Sequence, residues 1–213
     1  MTQHVVVLGA SMMTATQRDW GQFALLLIDV QRDFWPEEVA SSFPEFPPKV
    51  AQLLDLCRAE SIEVIHLRAS FNPDMSDWMP TYKLRGSIPC VGGTPGVETL
   101  PFALENPGEM VIIKQTFDCF QNAELLRYLR EKGKRFVLTA GLLTSVCVLL
   151  TTASAVQHGF LAAVIEDCCA DAPDAHQQAL DRYEFIFERM IVDRIPDHYH
   201  GWAAKLERLI EMG

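Results

Sequence analysis

Short, almost unbroken apolar runs alternate along the chain with longer stretches whose apolar residues recur every three or four positions. The runs cover residues 24–28, 63–67, 110–113, 135–138 and 161–165. A strand with one wet face alternates apolar and polar residues. Continuous apolar character is expected when helices cover both faces of a parallel sheet. Residues 185–192 offer a sixth run, weakened by Glu188 and Arg189.

The intervening stretches read as helices with recognisable ends. Val50, Leu53, Leu54 and Cys57 fall on one face of a helix entered through Pro47 and Pro48, because proline is tolerated in a first helical turn. Asn122 is placed to cap a helix carrying Leu125, Leu126 and Leu129, and Gly133 to close it. Residues 145–158 are nearly all apolar and end at Gly159, which predicts a largely buried helix. Two more helices are expected near 174–185 and 201–212, with His198 and His200 in a loop before the last. This alternation predicts an α/β fold: three layers, doubly wound, around a mainly parallel central sheet with right-handed crossovers.

No repeat or long linker divides the chain, so one domain is expected over residues 21–213. Residues 1–20 form an N-terminal extension, expected as an added edge strand or an arm across a neighbouring subunit. Gly9 opens no GxGxxG motif, so no dinucleotide site is expected there. The segment 69–109 is rich in Pro and Gly and long for a loop, which marks it as a lid or binding loop.

Composition narrows the picture modestly. With 49% hydrophobic and 22% charged residues in 213, the chain is ordinary globular material. Its net charge of −10 opposes binding to nucleic acid or anionic membrane. No run approaches a membrane span, and no secretory signal is evident. Six cysteines without a CxxC spacing suit a reduced, cytoplasmic protein with free thiols.

Chemistry emerges from one geometric rule: ligands of open α/β sheets bind beyond the carboxyl ends of the strands. The first run ends at Asp29, the third at Lys114, and the fourth leads through Gly141 to Cys147. A carboxylate, an ammonium and a thiol thus share one sheet edge. Each has a plainer reading: Asp29 as a turn cap, Lys114 as a solvated charge, Cys147 as packing. Taken together they suggest a nucleophilic thiol at a helix start, where the helix dipole and free amides favour a thiolate and could hold an oxyanion. Asp29 would be its base and the partner of a part-buried Lys114. Phe34, Trp35, Trp78, Tyr82 and Arg85 are candidates for substrate-pocket walls, Arg85 as a receiver for a carboxylate.

Several ordered motifs carry a family resemblance. They are Leu26-Leu-Ile-Asp29-Val-Gln-Arg-Asp-Phe34, Gly93-Thr-Pro-Gly96, Val111-Ile-Ile-Lys114 with Phe120 and Leu125, Gly141-Leu-Leu-Thr144-Ser-Val-Cys147-Val148 with Thr152, Ala155 and Gly159, and Val164-Ile-Glu-Asp167. Over about residues 24–171 the chain resembles the isochorismatase-like cysteine hydrolases, a group that includes nicotinamidases, N-carbamoylsarcosine amidohydrolase and ureidoacrylate amidohydrolases. The resemblance implies a triad of Asp29, Lys114 and Cys147, a cis Leu142–Leu143 peptide, and an oxyanion hole from the Leu143 and Cys147 amides. It also implies a homo-oligomer, dimer or tetramer. The commoner Thr-Asp is replaced by Thr144-Ser145, which puts the hydrogen bonding of that turn in question. Nicotinamidases of this kind hold a divalent ion through an Asp-x-His set and further His soon after the second strand. Here only His66 lies in that region, read as a core or strand-end residue. No metal and no cofactor are therefore expected, nor nicotinamide as the natural substrate.

Three functions remain open on these grounds. One is metal-independent hydrolysis of a C–N bond, amide or ureido, in a small molecule through an acyl-enzyme. The second is vinyl-ether hydrolysis as in isochorismatase itself, which in the family uses Asp and Lys without a cysteine. The third is a non-catalytic binding protein on the same fold.

Overall fold

The computed structural model describes residues 18–212. Six strands form its centre: β1 Phe23–Ile28, β2 Glu63–Ala69, β3 Met110–Lys114, β4 Phe136–Leu142, β5 Leu161–Ala170 and β6 Glu188–Met190. They pair in the order β3-β2-β1-β4-β5-β6, and every pairing is parallel. Every residue of β1 and β4 is buried. Successive strand side chains point to opposite faces, so both faces of the sheet are covered. The doubly wound α/β expectation holds, with a sheet that is parallel throughout.

Among the described residues, seven helices complete the layers: α1 Glu37–Ser42, α2 Phe46–Ala59, α3 Pro80–Arg85, α4 Ala123–Glu131, α5 Leu149–Gln157, α6 Pro173–Arg182 and α7 Ile195–Met212. Helix α2 buries Val50, Leu53, Leu54 and Cys57 as its spacing requires. The Asn122 side chain accepts the Glu124 N–H at 3.0 Å and caps α4. Trp202 on α7 packs against Phe136 at 4.9 Å and Phe23 at 6.3 Å between ring centroids. Each side chain buried so completely stabilises the fold by roughly 1.5–3 kcal/mol.

The structure departs from the sequence reading in three places. Strand β5 continues five residues beyond the apolar run 161–165, through Glu166 and Asp167. Both are compensated: Glu166 pairs with Arg189 of β6 at 2.6 Å, and Asp167 accepts the Val192 N–H at 3.0 Å. Helix α7 begins well before residue 201, so His198 and His200 are helical rather than in a loop. The segment 69–109 contains α3 and two short 3-10 turns, Pro95–Val97 and Pro101–Ala103.

Most of the expected N-terminal extension, residues 1–17, lies outside the described residues. Trp20 is in the core, edge-on to Phe23 at 4.9 Å, with its indole N–H on Glu60 at 2.9 Å. Among the described residues no helix is long and apolar enough to cross a membrane.

The strand order reverses between β1 and β4, which opens a crevice at their carboxyl ends. Gly141 is the pivot of that crevice. Its φ is +122°, and a Cβ there would lie 2.0 Å from the carbonyl oxygen of Ile28 in β1. Neither the dihedral nor the contact admits a side chain. Gly141→Ala is therefore expected to destabilise the protein by about 4 kcal/mol or more. Urea denaturation checks this, and a loss below about 1 kcal/mol would contradict the close approach.

Candidate active site

Three chain segments deliver one reactive group each to the crevice. Asp29 follows β1 with φ +50°, a left-handed conformation that a non-glycine residue adopts at some cost, and it is fully buried. Lys114 ends β3, two strands away, roughly 10 Å at ordinary strand spacing. Its partner in register on the intervening β2 is Ala69, whose small side chain leaves room for the lysine to cross. The Lys114 Nζ lies 2.7 Å from Asp29 Oδ2, 2.9 Å from the Thr116 carbonyl and 3.6 Å from Cys147 Sγ. Cys147 sits in a wide first turn, Thr144–Val148, that runs directly into α5. In that turn the Val146 and Val148 N–H groups fold back onto the Leu143 carbonyl, and the Leu142–Leu143 peptide is cis.

Burial sets the electrostatics. The Asp29 carboxyl is pushed above its ordinary value by desolvation, against the pull of Lys114. Lys114, the Cys147 thiol and the Ala69 N–H all act to lower the carboxyl, and burial outweighs them. Such a carboxylate is a ready proton acceptor. Burial acts to lower Lys114, but the charges of Asp29 and Cys147 outweigh it and hold the ammonium above its ordinary value. The Cys147 thiol is raised, first by burial and then by the Asp29 charge, and Lys114 only partly offsets both. Desolvation and a neighbouring carboxylate thus act against the thiolate that the helix start favours, and a proton acceptor beside the sulfur would assist it.

The loops around these groups are held by buried polar contacts. Gln31 donates to the Ala69 and Val97 carbonyls, each at 2.9 Å, and accepts the Ala69 N–H at 2.8 Å. This ties the turn after β1 to β2 and to the loop near Gly96. Asp33 accepts the Cys90 N–H at 2.7 Å, and its carboxylate occupies the place a Cβ on Gly96 would take, 2.0 Å away.

A cavity of about 190 Å³ opens onto Cys147 and Lys114. Phe34 and Tyr82, both expected at a pocket wall, line it. The other three expected wall residues do not. Trp35 stacks on Phe46 at 4.7 Å, and Trp78 is buried with its indole N–H on the Asn72 carbonyl at 2.7 Å. Arg85 is exposed and lies over the Tyr82 ring at 5.3 Å. The remaining walls come from Phe71, Met79, Ile88, Phe117, Leu143 and Val146, among others. Phe71, Met79 and Ile88 belong to the irregular segment 69–109, where no periodicity indicates which side chains turn inward. A wider groove of about 680 Å³ beside α6 contains none of the three reactive groups.

A family model for the isochorismatase domain matches residues 23–191. The chain belongs to the isochorismatase family. An uncharacterised isochorismatase family protein of Bacillus subtilis, YddQ, is 30% identical over 69% of this chain and 77% of its own. The maleamate amidohydrolase of Pseudomonas putida is 28% identical over 76% and 82%, respectively. Among solved structures, an isochorismatase family protein from Desulfovibrio vulgaris superposes with a TM-score of 0.74 at 27% identity, covering 83% of this chain and 97% of that one.

Two features of this site bear on the expectations from sequence. First, at Ser145, where the resemblance leads one to expect aspartate, a carboxylate from just beyond β5 braces the turn. Asp171 Oδ2 accepts both the Ser145 N–H at 2.9 Å and its hydroxyl at 2.6 Å. Thr144 Oγ1 is bonded to His176 Nδ1 of α6 at 2.8 Å. Asp171 was missed in the sequence because β5 seemed to end at Ile165. Once the strand is extended, Asp171 stands just past its carboxyl end, where the rule applied to Asp29 and Lys114 would have found it.

Second, the residues near β2 do not fit a metal site. His66 is buried with Nε2 2.9 Å from Glu109 Oε2. Burial pushes Glu109 up, but Arg58, the Asn106 N–H and His66 hold it at about 2. His66 itself is lowered by burial. It lies three residues before Ala69, about 10 Å back along the strand from the reactive groups. Among the described residues no three His, Cys, Asp or Glu side chains are grouped to hold an ion.

Two outcomes test this electrostatic description. Removing one member of a buried pair strands the other, so Lys114→Met is expected to cost about 3–5 kcal/mol at pH 7 by urea denaturation. In that variant the folded-state pKa of Asp29 lies above its unfolded value of about 3.9. The penalty should therefore be full at neutral pH and shrink as pH falls towards 4, where both states become protonated. In Asp29→Asn the sulfur loses the group placed to take its proton, while burial still holds the thiol up. Alkylation of Cys147, mapped by mass spectrometry at pH 7, should become slower and any turnover should be lost; unchanged or faster labelling would contradict a base role for Asp29.

Proposed function

We propose that the chain is a cysteine-dependent amidohydrolase that cleaves a C–N bond, amide or ureido, of a small molecule without a metal. The observation that carries this reading is the Lys114 ammonium within 2.7 Å of the buried Asp29 carboxylate and 3.6 Å of the Cys147 sulfur, at the mouth of one cavity. Similarity to a maleamate amidohydrolase supports the bond type. The engagement of His66 by Glu109, away from the crevice, supports a mechanism without a metal.

Asp29 takes the thiol proton as the sulfur attacks the carbonyl carbon, and the C=O electron pair becomes an oxyanion. The Leu143 and Cys147 amides stabilise that oxyanion. On collapse the C–N bond breaks, and Asp29 returns the proton to the departing nitrogen. A water then gives its proton to Asp29 and adds to the thioester carbon. Collapse of this second intermediate releases the acid and restores the thiol. Lys114 keeps Asp29 ionised and in place.

Amine release from a panel of small amides and ureido compounds tests the reading. Cys147→Ala should abolish release, and rapid quenching of the wild type should trap an acyl adduct on Cys147. Vinyl-ether hydrolysis surviving in Cys147→Ala, with no amine from any compound, would overturn it. The pH profile follows from Asp29, which must be ionised to accept the proton. Activity should fall on the acid side with a midpoint above the ordinary carboxylate range, because burial raises this carboxyl. Lys114, held above its ordinary value, should contribute no loss near neutral pH.

A further inference from the structure

Resting on that reading, we propose that the acyl part of the substrate is small, apolar and uncharged, and that carboxylate-bearing amides are rejected. The cavity walls beside Cys147 are built from Phe34, Phe71, Phe117, Met79, Ile88 and Val146. Only four lining side chains carry a polar group: Tyr82, Thr116, Lys114 and Cys147.

Lys114 is the one cation among the residues lining the cavity, and it has no capacity left for a ligand. Its three N–H groups are directed to Asp29, the Thr116 carbonyl and Cys147. The Thr116 hydroxyl donates to the Asp118 carbonyl at 2.8 Å. A substrate carboxylate placed here would lose its hydration without gaining a counter-charge.

The approach to the site has the same sign. A neighbouring cleft of about 220 Å³ shares Phe34 and Leu143 with the cavity and carries Asp33, Glu38 and Asp171. With a net charge of −10 on the chain, the field there disfavours an incoming anion and favours departure of an amine that becomes protonated. Volume sets the size. At about 190 Å³ the cavity is below the roughly 300–1,000 Å³ of pockets for drug-sized ligands. A compact branched or aromatic carboxamide therefore fits and a drug-sized one does not.

The test separates the pocket's chemistry from the reaction. Binding of isobutyramide, benzamide, succinamate and maleamate is measured on Cys147→Ala by ligand-observed NMR, and ammonia release from the same four on the wild type. Benzamide or isobutyramide is expected to bind at least tenfold more tightly than either acid, and to be turned over with a kcat/KM at least 100-fold higher. Phe117→Arg, at a part-exposed wall position, should narrow the binding gap by at least tenfold. Tighter binding of an acid, or no binding of the neutral amides at 20 mM, would overturn the inference. Neutral amides bound but never hydrolysed would leave the inference standing and remove the amidohydrolase reading.

Discussion

The site depends on a buried ion pair. Asp29 and Lys114 are almost wholly withdrawn from water, a placement that costs several kcal/mol per charge unless each compensates the other. Compensation is good but incomplete, and that incompleteness is what makes the carboxylate useful. Because burial outweighs the pull of Lys114, Asp29 retains a demand for a proton, and the sulfur of Cys147 is beside it. The three groups form one titrating unit, and a change at any of them alters the other two.

Holding such a unit requires rigid loops, and the surrounding polar residues are spent on that task. Gln31 ties the turn after β1 to two carbonyls and one amide of neighbouring segments. Asp171 and His176 fix the two residues that begin the turn leading to Cys147. The carboxylate of Asp171, just beyond β5, braces Ser145 from a distant part of the chain. Gly141 lets β4 approach Ile28 closely enough for both strand ends to open on the same crevice.

Much of this was legible in residues alone. Unbroken apolar runs marked the parallel strands, and the rule about strand ends singled out Asp29, Lys114 and Cys147. Where the reading failed, a local signal was overridden by a distant partner. Glu166 and Asp167 lie beyond the apolar run, but Arg189 and the Val192 amide accommodate them in β5. Trp35 and Trp78 have pocket-wall character, yet Phe46 and the Asn72 carbonyl claim them. Arg85 suggested a carboxylate receiver and instead lies outside the cavity.

Residue pattern alone carried the layer architecture and put an acid, an ammonium and a thiol at one sheet edge, because periodicity and strand-end position are local properties of the chain. Tertiary structure alone decided the protonation preference of Cys147, the bracing by Asp171 and the apolar character of the cavity. Those depend on desolvation and on contacts between residues far apart in sequence, such as Ser145 with Asp171 and Ala69 with Lys114. Burial and long-range proximity come into being only when the chain has folded.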